Sequence, residues 1–164
     1  MTRAKALYTL RIRRTESMIT VIGVPDTPGS GASIFLALAK ANVPITMIVQ
    51  NAPDAGSASI TFTVPKVKLE EALKVTWHIV QELGAVGVMN DDEIARLSVF
   101  GRAVLEESVG LAGEFFSVLA AERINILAIN STADVISCII EDADLDQAVS
   151  LLDGKYGLEV ERTG

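Results

Sequence analysis

The chain has 164 residues, of which 49% are hydrophobic and 21% charged, a composition that is typical of globular proteins and excludes the disordered and collagen-like classes. Its formal net charge of −7 argues against nucleic-acid binding, because phosphate contacts depend on Lys and Arg. The sequence has no apolar stretch long enough to span a bilayer and no apolar signal-peptide segment, so we expect a cytoplasmic protein without a membrane partner.

The first half of the chain alternates strand and helix signals. Runs of β-branched residues with alternating polarity predict strands, and apolar residues that recur every three or four positions predict amphipathic helices. Clusters of glycine and proline mark the connections between them. The predicted elements are strand 18–23, helix 30–41, strand 43–49, strand 58–64, helix 66–83 and strand 86–89.

The second half of the chain repeats this order. When Gly29 is aligned with Gly110, Phe35 meets Phe116 at the same offset, and the apolar pattern of the following strand also matches. Agreement along a shared pattern indicates an internal repeat. The predicted elements are strand 97–101, helix 111–123, strand 124–130, strand 135–141, helix 144–155 and strand 158–161.

Each half therefore has the order βαββαβ. This is the ferredoxin-like arrangement, an antiparallel four-stranded sheet with both helices on one face. We predict an α+β fold of two such modules, the first over 16–91 and the second over 92–164. Because open sheet faces and strand edges need cover, we also expect a homodimer with twofold symmetry.

The sequence lacks the residue combinations of a catalytic or metal-binding site. The single histidine, His78, is distant from the single cysteine, Cys138, which lies in a strand-like apolar run. The acidic residues between 141 and 146 lack the glycine and the distal glutamate of a calcium loop. We therefore predict no catalytic residue, no metal and no cofactor.

A candidate ligand site opens the first predicted helix. Gly29 and Gly31 bring backbone N–H groups and the positive end of the helix dipole close to a small anion, such as the carboxylate of an amino acid. Asp26 is placed to accept from the ammonium group, and Gln50 and Asn51 add donors and acceptors. The same residues also fit a well-formed turn, so the residue pattern alone leaves both interpretations open.

Three segments of the first half carry a family resemblance. Residues 21–29 read VIGVPDTPG, residues 47–51 read MIVQN, and residues 60–64 read ITFTV. At this spacing they resemble the paired ACT domains of aspartate kinases, whereas PDxPG alone would indicate only some ACT domain. The likeness extends over nearly the whole chain from about Met18 and is weaker in the second half.

The resemblance implies a regulatory role. In aspartate kinases of the two-subunit kind, a short regulatory (beta) chain repeats the ACT region of the catalytic (alpha) chain, assembles with it and binds feedback effectors. These effectors are threonine and, in some members, lysine. The resemblance thus implies a non-catalytic regulatory subunit that takes part in feedback inhibition of aspartate-family amino-acid biosynthesis. Its implied partners are a second copy of itself and the catalytic subunit.

The resemblance also implies where the effector binds. Threonine is expected where the first module of one chain meets the second module of its partner, with Gln50 reaching the ligand's side chain or amine. A strand at about 7–13 is further expected in the sheet of the second module, so that 1–15 joins 92–164. The implied ligand-binding residues are Asp26, Pro28, Gly29, Ser30, Gly31, Ala32 and Gln50, together with backbone contacts from Asn125 and Ile126.

The second module departs from the family pattern at its own loop. Residues 105–110 read LEESVG, with Val109 where the family has proline, and residues 130–133 read NSTA where a STSE-like sequence is usual. The second effector site of the family, which is associated with lysine, depends on these segments. We therefore predict threonine as the principal effector, with lysine binding weak or absent.

Three other interpretations stay open from the sequence. In the first, the chain is a stand-alone ACT-pair amino-acid sensor for a different partner, which co-purification with a kinase chain would exclude. In the second, it is a small ferredoxin-like enzyme, which turnover of aspartate with ATP by the isolated chain would support. In the third, it is a segment of a longer catalytic chain.

Overall fold

The computed structural model describes residues 8–51, 55–101, 110–156 and 158–163. Between the strands predicted at 43–49 and 58–64, residues 52–54 lie outside the described ranges. The part of the second-module loop at 105–109, with its valine in place of proline, lies outside the described residues.

The chain divides into two compact units. The inserted unit is formed by Thr15–Asp92, and the outer unit combines the described parts of Met1–Arg14 and Glu93–Gly164. The names record that the inserted unit interrupts the chain of the outer unit. Each unit has its own cluster of buried apolar side chains, so each has a hydrophobic core of its own.

The inserted unit is a ferredoxin-like module. After strand β1 (Thr9–Arg13) of the outer unit, the chain forms β2 (Glu16–Pro25), α1 (Ser30–Lys40), β3 (Met47–Gln50), β4 (Ser57–Pro65), α2 (Leu69–Leu83) and β5 (Gly87–Asp91). The four strands of this unit pair antiparallel in the order β3-β4-β2-β5. Alternate residues of β2 and β4 meet both helices in one core, with Phe35 and Phe62 edge to face at 5.6 Å, so the helices cover the same face of the sheet.

The outer unit repeats the module with one addition. It continues with β6 (Ile94–Phe100), α3 (Leu111–Ala121), β7 (Ala128–Thr132), β8 (Val135–Glu141), α4 (Leu145–Tyr156) and β9 (Glu159–Thr163). Its strands have the order β7-β8-β6-β1-β9, with β1 antiparallel to β6 and parallel to β9. The prediction of two ferredoxin-like modules is confirmed, and the second sheet has a fifth strand because β1 separates the first and last strands of the module.

The alternation of apolar and charged side chains along β1 explains why it fits inside a sheet. Leu10 and Ile12 are 0% and 2% exposed and belong to the core of the outer unit. Arg11 and Arg13 alternate with them and therefore project from the opposite face of the sheet. One short strand thus completes the apolar layer under α3 and α4 and places two cations on the other face.

Some predicted boundaries differ from the observed ones. The strand predicted at 43–49 begins only at Met47, because Val43 packs into the core directly after α1 and Pro44 has no N–H to donate to a strand ladder. The helix predicted from 66 starts with a 3₁₀ turn at Lys66–Lys68 before α2 begins. Both differences lie at element ends, where local patterns are least decisive.

Candidate functional site

The predicted loop–helix site lies in the inserted unit, where the chain leaves β2 and enters α1. Gly29 is the N-cap residue with φ 99° and ψ −15°, a left-handed conformation that glycine adopts without strain. Within the described ranges, no side chain caps this helix and no acidic residue lies in its first turn. The N–H groups of Gly31 and Ala32, at the positive end of the helix dipole, can therefore donate to a small anion.

Hydrogen bonds define the shape of the loop before α1. The Asp26 N–H donates to the Gly56 carbonyl over 3.0 Å, which ties the loop to the connection between β3 and β4. The Ser30 N–H donates to the Thr27 carbonyl over 3.2 Å, and the hydroxyls of Thr27 and Ser30 lie 2.9 Å apart. This hydroxyl pair was not predicted from the sequence, although a threonine three residues before a serine at a helix start is a pattern that could have indicated it.

Most predicted site residues of the inserted unit face solvent. The exposed members are Asp26, Pro28, Gly29, Ala32 and Gln50, whereas Ser30 is buried and Gly31 is half-buried. Asp26 is exposed three residues before the N-cap residue, so a carboxylate acceptor and the N–H donors of an uncapped helix start lie close together along the chain. This combination matches the two charged ends of a free amino acid.

Gln50 is connected to the helix start through β4. It ends the edge strand β3, where it pairs with Ile60 of β4. A Cβ placed on Gly31 would lie 3.8 Å from Ile60 Cδ1, so the first turn of α1 packs over the same isoleucine. The structure thus brings Gln50 and the opening of α1 to one end of the sheet. The sequence pattern placed Ile60 in a strand and in the ITFTV segment of the resemblance, but it did not indicate that Ile60 positions the site.

The strand edge beside the site also exposes apolar surface. Ile48 lies two residues before Gln50 on the same face of β3 and is 46% exposed. The equivalent residue of the outer unit, Ile129 in β7, is 45% exposed. Edge strands with exposed apolar side chains are typical of surfaces that meet another chain.

Asn125 and Ile126 lie in the outer unit, between α3 and β7. Asn125 is exposed and Ile126 is half-buried. The next residue, Leu127, donates its N–H to the Ile139 carbonyl over 2.8 Å, so the chain joins the sheet directly after them. The structure groups these two residues with each other and groups the remaining predicted site residues within the inserted unit.

Among the described residues, neither a metal-binding cluster nor a reactive thiol is found. Across the described ranges no cluster of three or more His, Cys, Asp or Glu is arranged to hold a metal ion. Burial raises the pKa of the Cys138 thiol to about 12, which keeps it protonated and a poor nucleophile at neutral pH. Of the helices in the described ranges, none combines the length and apolar character needed to cross a membrane.

Comparison with known proteins identifies the modules. The ACT domain family matches residues 19–76 and 97–156, once in each module. Among solved structures, a chain of the aspartokinase alpha and beta subunits is 30% identical with a TM-score of 0.84, over 92% of this chain and 98% of that chain. The chain belongs to the ACT-domain regulatory branch of the aspartate kinase family. The regulatory subunit of aspartate kinase from Thermus thermophilus is 28% identical to this chain, again with a TM-score of 0.84. The match covers 92% of this chain and 98% of that subunit.

Curated relatives agree with this assignment. An aspartate kinase from Stutzerimonas stutzeri is 35% identical over 150 residues, or 92% of this chain. An aspartokinase from Mycolicibacterium smegmatis is 37% identical over 147 residues, or 88% of this chain. The chain spans about a third of the length of these relatives, since the matches cover 36% and 35% of them. It corresponds to the regulatory ACT-domain portion of aspartate kinase.

Proposed function

We propose that this ACT pair is a non-catalytic regulatory subunit of aspartate kinase that binds threonine and mediates feedback inhibition of aspartate-family amino-acid biosynthesis. The observation that carries the proposal is the uncapped start of α1 at Gly29, beside the exposed Asp26 and next to Gln50 across Ile60. This one region offers donors to a carboxylate, an acceptor to an ammonium group and an amide to a polar side chain.

In the proposed complex the backbone binds the carboxylate, which is common to all amino acids. The carboxylate of threonine accepts hydrogen bonds from the N–H groups of Gly31 and Ala32, and its ammonium group donates to Asp26. Gln50 bonds to the hydroxyl or the amine of the ligand. A neutral amide suits a hydroxyl better than the second ammonium group of lysine, which supports weak or absent lysine binding.

The proposed site is completed by a second copy of the chain. In one copy most site residues are exposed, and water competes for exposed hydrogen-bonding groups. A partner copy that contributes the backbone of its Asn125 and Ile126 would exclude this water, and Ile48 offers apolar contact area at the same strand edge. Threonine then favours the closed dimer by its differential affinity, by about 2.7 kcal/mol at a hundredfold excess over Kd.

The proposed target of this regulation is the catalytic chain of aspartate kinase. One solved relative consists of aspartokinase alpha and beta subunits, which supports a catalytic partner for the ACT pair. In this proposal the threonine-bound ACT assembly restrains the kinase domain, and coupling follows only if that domain interacts differently with the closed and open assemblies.

Calorimetric titration of threonine tests the site. The variants are Asp26→Asn, which keeps the size of the side chain, and Gln50→Ala, with Gln81→Ala on the exposed face of α2 as the matched control. Loss of a hydrogen bond to a charged group costs about 1.5–3 kcal/mol, so we expect binding to Asp26→Asn to be weaker by about tenfold or more. The Gln81→Ala control should bind like the wild type. Unchanged affinity in both site variants would refute the site.

Three further outcomes test the remaining parts of the proposal. A melting temperature raised by another amino acid and not by threonine would overturn the choice of effector. Threonine binding without co-purification of a kinase chain would favour a sensor that serves a different partner. Phosphorylation of aspartate by the isolated chain would contradict a non-catalytic subunit.

A further inference from the structure

A second, basic cavity lies in the outer unit, on the face of the sheet opposite α3 and α4. Its volume is about 170 Å³. Neighbouring strands β1, β6 and β8 line it with three guanidinium groups, two hydroxyls and one aromatic ring. The lining residues are Arg11, Arg13, Arg96, Ser98, Phe100 and Ser137.

The strand register explains why these side chains converge. Arg13 stands directly opposite Arg96 in the antiparallel pair of β1 and β6, and Arg11 stands opposite Ser98. Ser98 in turn pairs with Ser137 of β8, and their hydroxyls lie 2.8 Å apart. Like charges directly opposite each other in a sheet are unfavourable, so an anion bound between the two facing arginines would reduce their repulsion.

Arg11 is held in place at one side of the cavity. Its guanidinium lies 4.4 Å from the centre of the Phe100 ring and 3.0 Å from the Glu161 carboxylate. Both contacts restrict the side chain. The described residues that line the cavity include no acidic side chain, in a chain whose overall formal charge is −7.

We propose that this cavity binds a small oxyanion, a phosphate or a carboxylate, as a second ligand site of the ACT pair. A guanidinium has five N–H donors in a fork that matches the oxygens of both anions, and the serine hydroxyl that accepts in the Ser98–Ser137 bond adds one more donor. Arg13 and Arg96 have further interactions of their own, and the proposal requires that they share donors with the ligand. The cavity is smaller than typical ligand pockets, which have volumes of roughly 300–1,000 Å³, and this favours a small anion over a nucleotide.

This inference goes beyond the proposed function and does not depend on it. The residues proposed for threonine at the helix start and at Gln50 belong to the inserted unit, whereas the basic cavity belongs to the outer unit. Threonine titrations of the same variants therefore separate failure of one proposal from failure of the other.

Calorimetry and thermal shift on the full chain test the cavity with sodium phosphate and, separately, sodium succinate, each against sodium chloride at matched ionic strength. The site variants are Arg13→Gln and Arg96→Gln. The matched control is Arg162→Gln, which removes the same charge from the other face of the sheet, since Arg162 stands beside the core residue Ile12. We expect at least one anion to bind the wild type, about tenfold or more weaker binding in the site variants, and no change in the control.

The outcomes separate the two anion sources and leave the inference open to refutation. Binding of phosphate alone, or of succinate alone, assigns the site to that anion. If neither anion binds the wild type, or if Arg162→Gln weakens binding as much as the site variants, the proposal is overturned. If the variants do not fold, amide chemical shifts of the wild type decide: anion-induced changes at Ser98 and Ser137 support the site, and changes elsewhere refute it.

Discussion

Two glycines with left-handed backbone conformations differ in their surroundings. At Gly23 the backbone has φ 68°, and the pairing of β2 with β4 shifts register between Val21 and Val24. A Cβ on Gly23 would lie 2.3 Å from Val86 Cγ2, a distance that real side chains do not reach. Gly29 has φ 99°, but a Cβ there would meet no atom within 4 Å. A side chain at Gly29 would therefore cause backbone strain alone, whereas a side chain at Gly23 would cause both backbone strain and steric overlap.

Alanine at these two positions should destabilise the protein to different extents. Gly29→Ala should lower the free energy of unfolding by about 1–2 kcal/mol, the cost of a left-handed non-glycine residue. Gly23→Ala should lose the same amount plus about 1–3 kcal/mol for overpacking against Val86. Urea denaturation measures both. Equal losses would show that the backbone around Gly23 relaxes to accommodate the new methyl group.

The Cys138 thiol should be unreactive in the folded protein. Burial raises its pKa from 9.0 to about 12, so at pH 8 the folded chain carries about a thousandfold less thiolate than the unfolded one. Iodoacetamide should therefore modify the thiol only in denaturant. Because the folded pKa is raised, its stabilising contribution is complete below pH 9 and is lost as the pH rises towards 12. Rapid alkylation under native conditions would contradict the burial, and Cys138→Ala serves as the control for the pH dependence.

At the scale of elements, β1 is the strand that couples the two ends of the outer unit. It pairs with β6 on one side and with β9 on the other. Leu10, its second residue, is fully buried in the core of this unit. Residues before the inserted unit are thus required to complete a sheet whose other strands all follow it. A defect in β1 should affect the outer unit first.

Leu10→Ala should lower the stability of the outer unit by about 2–5 kcal/mol, the usual cost of a cavity at a buried leucine. The natural fluorophores report on the units separately, because the single tryptophan, Trp77, is in the inserted unit and both tyrosines, Tyr8 and Tyr156, are in the outer unit. We expect the near-ultraviolet circular dichroism of the tyrosines to be lost at a lower denaturant concentration than the native fluorescence of Trp77. Leu36→Ala, at a side chain that is 61% exposed, is the control. Coincident transitions in Leu10→Ala would show that the units unfold as one.

At the scale of the whole molecule, the proposed dimer predicts a coupling between assembly and effector. Ile48→Lys places a charge on the exposed edge strand beside Gln50 and should weaken both self-association and threonine binding, because each favours the other by linkage. Val67→Lys changes a side chain that is 93% exposed in the turn before α2 and should alter neither. Sedimentation velocity with and without threonine measures the effect. If both variants dimerise like the wild type, the edge of β3 is not the interface.

Local patterns predicted most of the elements in both modules. The alternation of Ile60, Phe62 and Val64 predicted β4, and the Gly29 and Gly110 repeat predicted two helix starts. In the structure both glycines have left-handed backbone conformations. Such signals are local, because side-chain periodicity and glycine conformations are properties of a few consecutive residues. The predicted start of β3 was wrong, because the apolar Val43 packs into the core from the loop before the strand.

The sequence by itself determined the repeated βαββαβ order, the glycine-opened helix beside Asp26 and the kinship with aspartate kinase regulatory domains. Only the tertiary structure decided that β1 lies between β6 and β9, that Gly31 packs over the partner of Gln50, and that Arg13 faces Arg96. The reason is physical. Strand order and register depend on pairing between segments far apart in the chain, and the pattern within any one segment does not contain that information.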